Sequence, residues 1–159
     1  MAISKEFGRI ENDPGDVVDY MADPDTGLMV KLVLRRLTGT VERNLKRKFD
    51  QDQLRVKGGV TTVDLEKTRR FTRARAAASL KDTIDYSLVV ADDEAAETYS
   101  ALLGRPVKAG EEVRLDGLWN DGLKEHYLEE HGELVNFVVA WIDKEKDRSQ
   151  ERAEALQGN

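Results

Sequence analysis

Positive charge is concentrated in the middle of this 159-residue chain. Residues 31–75 hold fourteen Lys and Arg against five Asp and Glu, a local balance of +9, whereas residues 1–30 carry −5 and residues 76–159 carry −10. A fold built from such a sequence must either lay its own acid against its own base or offer a basic surface to an acidic partner. The length suits one domain around one core. With 35% charged and only 6% aromatic residues, solvated helical faces fit the composition better than a β-sandwich does. The absence of cysteine excludes a disulfide framework, a thiolate zinc site and a cysteine nucleophile, and it points to a reducing cytoplasm. The chain begins without an apolar run of signal-peptide length, and its longest nearly apolar stretch, residues 134–142, is too short to span a bilayer. No membrane association is expected.

Residues 1–26 are rich in Asp, Gly and Pro and read as an irregular lead-in. The turn signal at Asp25, Thr26 and Gly27 then opens an alternating run, with Leu28, Val30, Leu32 and Leu34 on one side and Met29, Lys31, Val33 and Arg35 on the other. This is strand period with one strong apolar face, as in an edge strand or a one-sided sheet. Val41, Leu45 and Phe49 mark one side of a short helix that Thr40 would cap and that turns Arg43, Lys46 and Arg47 outward. After a hinge at Gly58 and Gly59, Thr61 and Asp64 suit a capping box and Val60 and Leu65 a hydrophobic staple, which predicts a helix from Thr61 with Ala77, Leu80 and Ile84 in its buried stripe. Arg69, Arg70 and Arg73 fall on its other side. Residues 86–90 read equally as helix or strand. Asp92 or Asp93 caps a helix that Gly104 and Pro106 end; an extended piece, residues 111–115, runs to a turn at Asp116 and Gly117. Two helices follow, one with Trp119, Leu123 and Tyr127 that breaks near Gly132, the other with Leu134, Val138, Trp141 and Ile142. Residues 146–159 are a charged tail, read as solvated and frayed. The expected fold is thus α+β and mostly helical: a small N-terminal β element, then four or five helices, in one domain over residues 27–145.

The residues give little footing for catalysis. His126 and His131 stand five apart, which does not aim two rings from one helix at one metal, and they read as surface histidines. Gly58 and Gly59, and Gly104 before Arg105, lack the spacing and the Lys-Ser/Thr ending of a phosphate loop. Asp23, Asp25 and Gly27 resemble the start of a calcium loop, but no Glu stands at its twelfth position. The acidic groups at residues 92–94 and 129–130 could pair carboxylates, yet the ends of helices explain them as well. No enzyme, cofactor or metal is expected. The basic stretch is the one feature that asks for a role. Arg69, Arg70, Arg73 and Arg75 could pair with the acidic C-terminal helices, meet a protein partner, or bind nucleic acid; the net charge of −6 and the scarcity of nearby aromatics weigh against the last.

The run ADPDTGLMVKLVLRR, the Arg- and Ala-rich segment RRFTRARAAASL and the terminal LDGLWNDGLKEHYLEEHGELVNFVVAWI, in that order, resemble bacteriophage tail assembly chaperones over roughly residues 22–142. That resemblance implies a cytoplasmic, non-catalytic protein that self-associates and reversibly holds a helical client, the tape measure protein, in apolar grooves. Eight of the nine residues at 134–142 are apolar, more than one buried stripe requires, so Leu134, Phe137, Val138 and Trp141 are candidate groove residues; a fully buried central helix accounts for them slightly better. Candidate partner-binding residues are therefore Arg69, Arg70, Arg73, Leu134, Phe137, Val138 and Trp141. Two other roles remain open: a small nucleic-acid-binding or regulatory protein using residues 31–75, and a phage-encoded inhibitor of a host defence complex.

Overall fold

The computed structural model describes residues 14–51, 55–57, 60–62 and 64–157. Seven strands and five helices follow in the order β1 (Asp16–Ala22), β2 (Met29–Leu34), α1 (Gly39–Lys48), β3 (Arg55–Lys57), β4 (Val60–Thr62), α2 (Leu65–Ser79), β5 (Leu80–Ile84), β6 (Ser87–Val89), α3 (Asp93–Leu103), β7 (Glu112–Arg114), α4 (Asp121–Glu130) and α5 (Gly132–Gln157). The fold is α+β and mostly helical, with a small antiparallel sheet near its start, in line with the sequence reading.

That sheet has the order β1-β2-β5. Val30, Leu32 and Leu34 alternate into the core as the pattern requires, but β2 is the central strand and not an edge. Its first neighbour comes from the supposed lead-in. In β1, Val18 and Tyr20 turn inward while Val17 and Met21 are exposed, so apolar residues on both faces conceal the alternation. Residues 23–27, the second of the Asp- and Pro-rich runs that suggested irregularity, form the hairpin turn: the Asp23 carboxylate accepts from the Asp25 amide at 2.8 Å, the Asp23 carbonyl accepts from the Gly27 amide at 2.8 Å, and Gly27 takes a φ of +72°; residues 1–13 of that lead-in lie outside the described residues.

Several element boundaries differ from the sequence reading, each for a local reason. Thr38, not Thr40, caps α1, its hydroxyl accepting from the Val41 amide at 3.2 Å. Thr61 lies in β4, opposite Val56, and Asp64 caps α2 by accepting from the amides of Glu66 and Lys67. The β-branched residues 60–63 favour strand, and a lone Asp suffices as cap. Leu65 is 70% exposed and cannot be half of a staple. The expected hinge at Gly58 and Gly59 lies outside the described residues.

Helix α2 stops at Ser79 and does not continue to Ile84. Arg35, just past β2, captures its end: the Arg35 amide donates to the Ser79 carbonyl, the Arg35 Nε to the Ala78 carbonyl, and the Ser79 hydroxyl to the Arg35 carbonyl. The chain is thereby delivered into β5, where Leu80 and Thr83 are buried against the core. Trp119 precedes α4, which Asn120 caps, and α5 runs unbroken to Gln157, so the charged tail is helical over its described residues, 146–157. Alternating charge supports that helix through pairs such as Arg148 with Glu145 at 3.2 Å. The expected caps at Asp92 and Gly104 are both found, Gly104 with a φ of +69°.

One core joins β2, α2, β5, α3, β7, α4 and α5. Leu32, Leu34, Leu80, Leu115, Leu123, Leu128, Leu134 and Val138 are buried to 1% exposure or less. At its side Tyr86 and Tyr127 share a 2.6 Å hydrogen bond between hydroxyls, and burial pushes both phenols above their ordinary pKa. Asp116 fastens the β5–β6 turn: its carboxylate accepts from the Thr83 hydroxyl and the Asp85 amide at 2.8 Å and from the Tyr86 amide at 3.2 Å. This holds Asp85 in a left-handed conformation, φ +60°, that a non-glycine residue adopts only under constraint. We expect Asp116→Ala, which orphans those three donors, to lower the unfolding free energy by about 2–3 kcal/mol in urea titration; a loss below about 0.5 kcal/mol would remove this turn from the stabilising framework.

Candidate partner-binding groove

Helix α2 buries Ala76 and Ser79 near its C-terminal end, while Arg69 and Arg70 in its first half are exposed and Arg73 is half-buried; Arg69, seven residues before Ala76, lies on the same side of the helix as that alanine and not on the side the sequence reading gave it. All three arginines border open grooves beside α4. One groove, of roughly 600 Å³, is bordered by Arg70, Arg73, Lys124 and Glu125 over a floor that includes Ala74, Ala77 and Leu128. A second, of roughly 570 Å³, is bordered by Arg69, Arg73 and Asn136, with Leu128 and Val135 among its lining. Arg73 and Glu129 line both and form the saddle between them, their charged atoms 3.7 Å apart. Arg70 pairs with Glu66 along its own helix at 3.3 Å. Such exposed pairs hold weakly and can be exchanged for a partner's charges.

Arg75 is used differently. Its guanidinium is 11% exposed and reaches Glu42 of α1 at 2.8 Å and Asp143 of α5 at 2.9 Å. Burial works against its charge, but hydrogen bonds to Asp143 and Glu42 outweigh that and raise its pKa above the ordinary arginine value. The basic stretch is thus divided. Arg75, and Arg36 with Glu145 at 3.3 Å, lay base onto the acidic C-terminal helix, whereas Arg69 and Arg70 stay exposed.

The apolar half of the expected partner surface is not separate from the core. Leu134 and Val138 are 1% and 0% exposed, so they are core residues and not groove residues; a helix lying on the centre of the fold uses that side for packing. Phe137 and Trp141 are half-buried against the same core, and Phe137 meets Tyr20 edge-on at 5.0 Å. The arginines and these four residues do not converge. Of the α4 contribution, sequence reasoning named Glu129 as one of an acidic pair but missed Lys124, Glu125 and Leu128. Their spacing of one, three and four residues places them on neighbouring helical positions, but only the packing of α4 beside α2 turns them toward the arginines.

The histidines are not simple surface groups. His131 stacks on Tyr127 at 3.8 Å with its Nδ1 2.8 Å from the Tyr127 carbonyl, and His126 meets Tyr99 edge-on. The acidic groups have local work: Asp92 caps α3, Glu129 faces Arg73, and Glu130 faces His126 at 3.5 Å. Among the described residues, no three His, Cys, Asp or Glu side chains are grouped so as to hold a metal, and no helix is long and apolar enough to cross a membrane. Comparison of the chain with protein-family models, curated proteins and solved structures finds no match.

Lys124 is the groove's most constrained cation. Its ammonium donates to the Ala77 carbonyl at 3.2 Å, and burial, with repulsion from Arg35, lowers its pKa from 10.5 despite the attraction of Asp121. A lowered pKa means that the unfolded chain binds the proton more tightly, so this group makes stability rise with pH up to about 10.5. Comparing urea midpoints of wild type and Lys124→Met across the alkaline range should show the wild type gaining on the variant as pH increases. Parallel curves would contradict a strained Lys124.

Proposed function

We propose that this protein is a non-enzymatic binding and assembly protein of the tail assembly chaperone type, which holds a helical segment of a tape measure protein along the grooves between α2 and α4. The observation that carries the reading is the arrangement of the rim: α2 brings Arg69, Arg70 and Arg73 with one acid, Glu66, and α4 brings Asp121, Glu125 and Glu129 with one cation, Lys124, around a floor of Ala74, Ala77 and Leu128. A helix with an apolar stripe between a basic and an acidic edge would meet opposite charge on each side while its stripe covers the floor. Weak rim pairs favour reversible holding, which a chaperone requires. The order of sequence segments supports the tape measure protein as client, and the reading carries with it self-association and action in the host cytoplasm.

The same rim argues against the nucleic-acid alternative. Glu66, Glu125 and Glu129 line the grooves that the arginines border, and a phosphate backbone would have to approach them at a Coulombic cost. Binding is best tested by calorimetric titration with helical tape measure segments, alongside light scattering of the protein alone. We expect self-association, saturable binding, and a loss of about tenfold or more in affinity for the Arg70→Glu, Arg73→Glu double variant. Labelled DNA and RNA should not bind at low salt. A strict monomer indifferent to every tape measure segment would refute the proposal.

A further inference from the structure

Strand β1 ends the three-stranded sheet, and nothing among the described residues pairs with its outer edge. Residues 16–19 form a regular ladder with residues 31–34 of β2, ahead of the bulge between Asp19 and Met21. The outer backbone groups of that stretch are therefore placed as in an extended strand, the form that can template another. The sheet surface beside this edge combines exposed apolar side chains with one charged cross-strand pair, Asp19 and Lys31. Val17 and Val33 are cross-strand neighbours, as are Lys31 and Ile84, and Val17 and Ile84 are 58% and 38% exposed. Five of the nine large apolar side chains exposed among the described residues, Val17, Met21, Leu28, Met29 and Ile84, belong to this sheet or its hairpin turn. Their clustering distinguishes a docking surface from scattered exposure.

Charge selects the occupant. From Pro14 to Val30 the chain holds Asp16, Asp19, Asp23 and Asp25 and no Lys or Arg; the next residue, Lys31, stands opposite Asp19, whereas Asp16 stands opposite Leu34. Natural edges are commonly guarded by lysine, which repels most strands alike; an edge guarded by aspartate repels acidic strands and attracts basic ones. A second copy would bring the same four aspartates against themselves across a two-fold axis. An area of three short strands is also small against the roughly 800 Å² per partner of a standard interface, which suits a peptide segment better than a dimer.

We propose that the β1 edge is a docking site for an extended basic segment of another protein, which adds as a fourth strand with its apolar side chains on the face of Val17 and its alternate Lys or Arg residues on the opposite face, near Asp16. This site lies on the sheet and is independent of the α2 and α4 grooves, so a client helix and an extended segment could be held together.

The test titrates the full-length ¹⁵N-labelled protein with three peptides: an alternating Lys-Val octamer, its Glu-Val counterpart, and a helix-forming Lys-Ala peptide of equal positive charge. The expected result is saturable amide shifts over residues 16–22 with the Lys-Val peptide alone. The double variant Asp16→Lys, Asp19→Lys, whose substitutions sit at exposed positions, should lose about tenfold in affinity for Lys-Val and gain affinity for Glu-Val. Absence of shifts at millimolar Lys-Val overturns the proposal, as does equal response to Lys-Ala. Concentration-dependent shifts of β1 without peptide would assign the edge to a second copy, and slow exchange of all its amides in the dilute protein would assign it to this chain itself. Either outcome also overturns the proposal, whatever the grooves bind.

Discussion

The contact on which the architecture depends is Arg75 held between Glu42 and Asp143. It joins α1, α2 and α5 at one point, and two of its three side chains are about nine-tenths buried. An ion pair out of water contributes little as a net gain, but one left incomplete strands a charge at a cost of several kcal/mol, so the three helices are obliged to keep their register. Around that point the apolar side chains of β2, β5 and α5 close a single core. The same contact explains how a chain with so uneven a charge pattern folds: part of its central base lies against acid brought from both directions along the sequence.

How much of this was legible in the sequence depended on whether a local signal had a rival. Asp92 and Gly104 had none, and α3 begins and ends where they place it. The apolar alternation of β2 was equally plain, but its central position was hidden because β1 carries Val and Met on its solvent side and aspartates in its turn. Ala77, Leu80 and Ile84 mimic helical spacing, yet the hydrogen bonds between Arg35 and the end of α2 come from a strand more than forty residues away, which no local pattern reveals. Thr61 illustrates the opposite case. A good capping motif lost to a β-branched run and to an equally good cap three residues later.

The candidate site was half legible for a related reason. The sequence singles out Arg69, Arg70 and Arg73 as a cationic group, but helical period alone does not set their side, since Arg69 and Arg70 stand seven residues before Ala76 and Ala77. It cannot say that Arg75, two residues beyond Arg73, is turned inward, nor that α4 supplies the opposite wall. The apolar richness of residues 134–142 was a true signal with two meanings, surface groove or central helix, and burial of Leu134 and Val138 assigns it to the core. What is left for partners is polar-rimmed surface beside α2 and an acidic strand edge at β1. The two carry different charge and, on the proposals made above, would take different partner conformations, helix and strand.

The division of the basic stretch into a structural part and an offered part is measured most directly by two double-mutant cycles in urea unfolding, one on Arg75 with Glu42 and one on Arg73 with Glu129. The account predicts a coupling of about 2 kcal/mol or more for the first and less than about 0.5 kcal/mol for the second. Equal couplings, or a first value as small as the second, would contradict it.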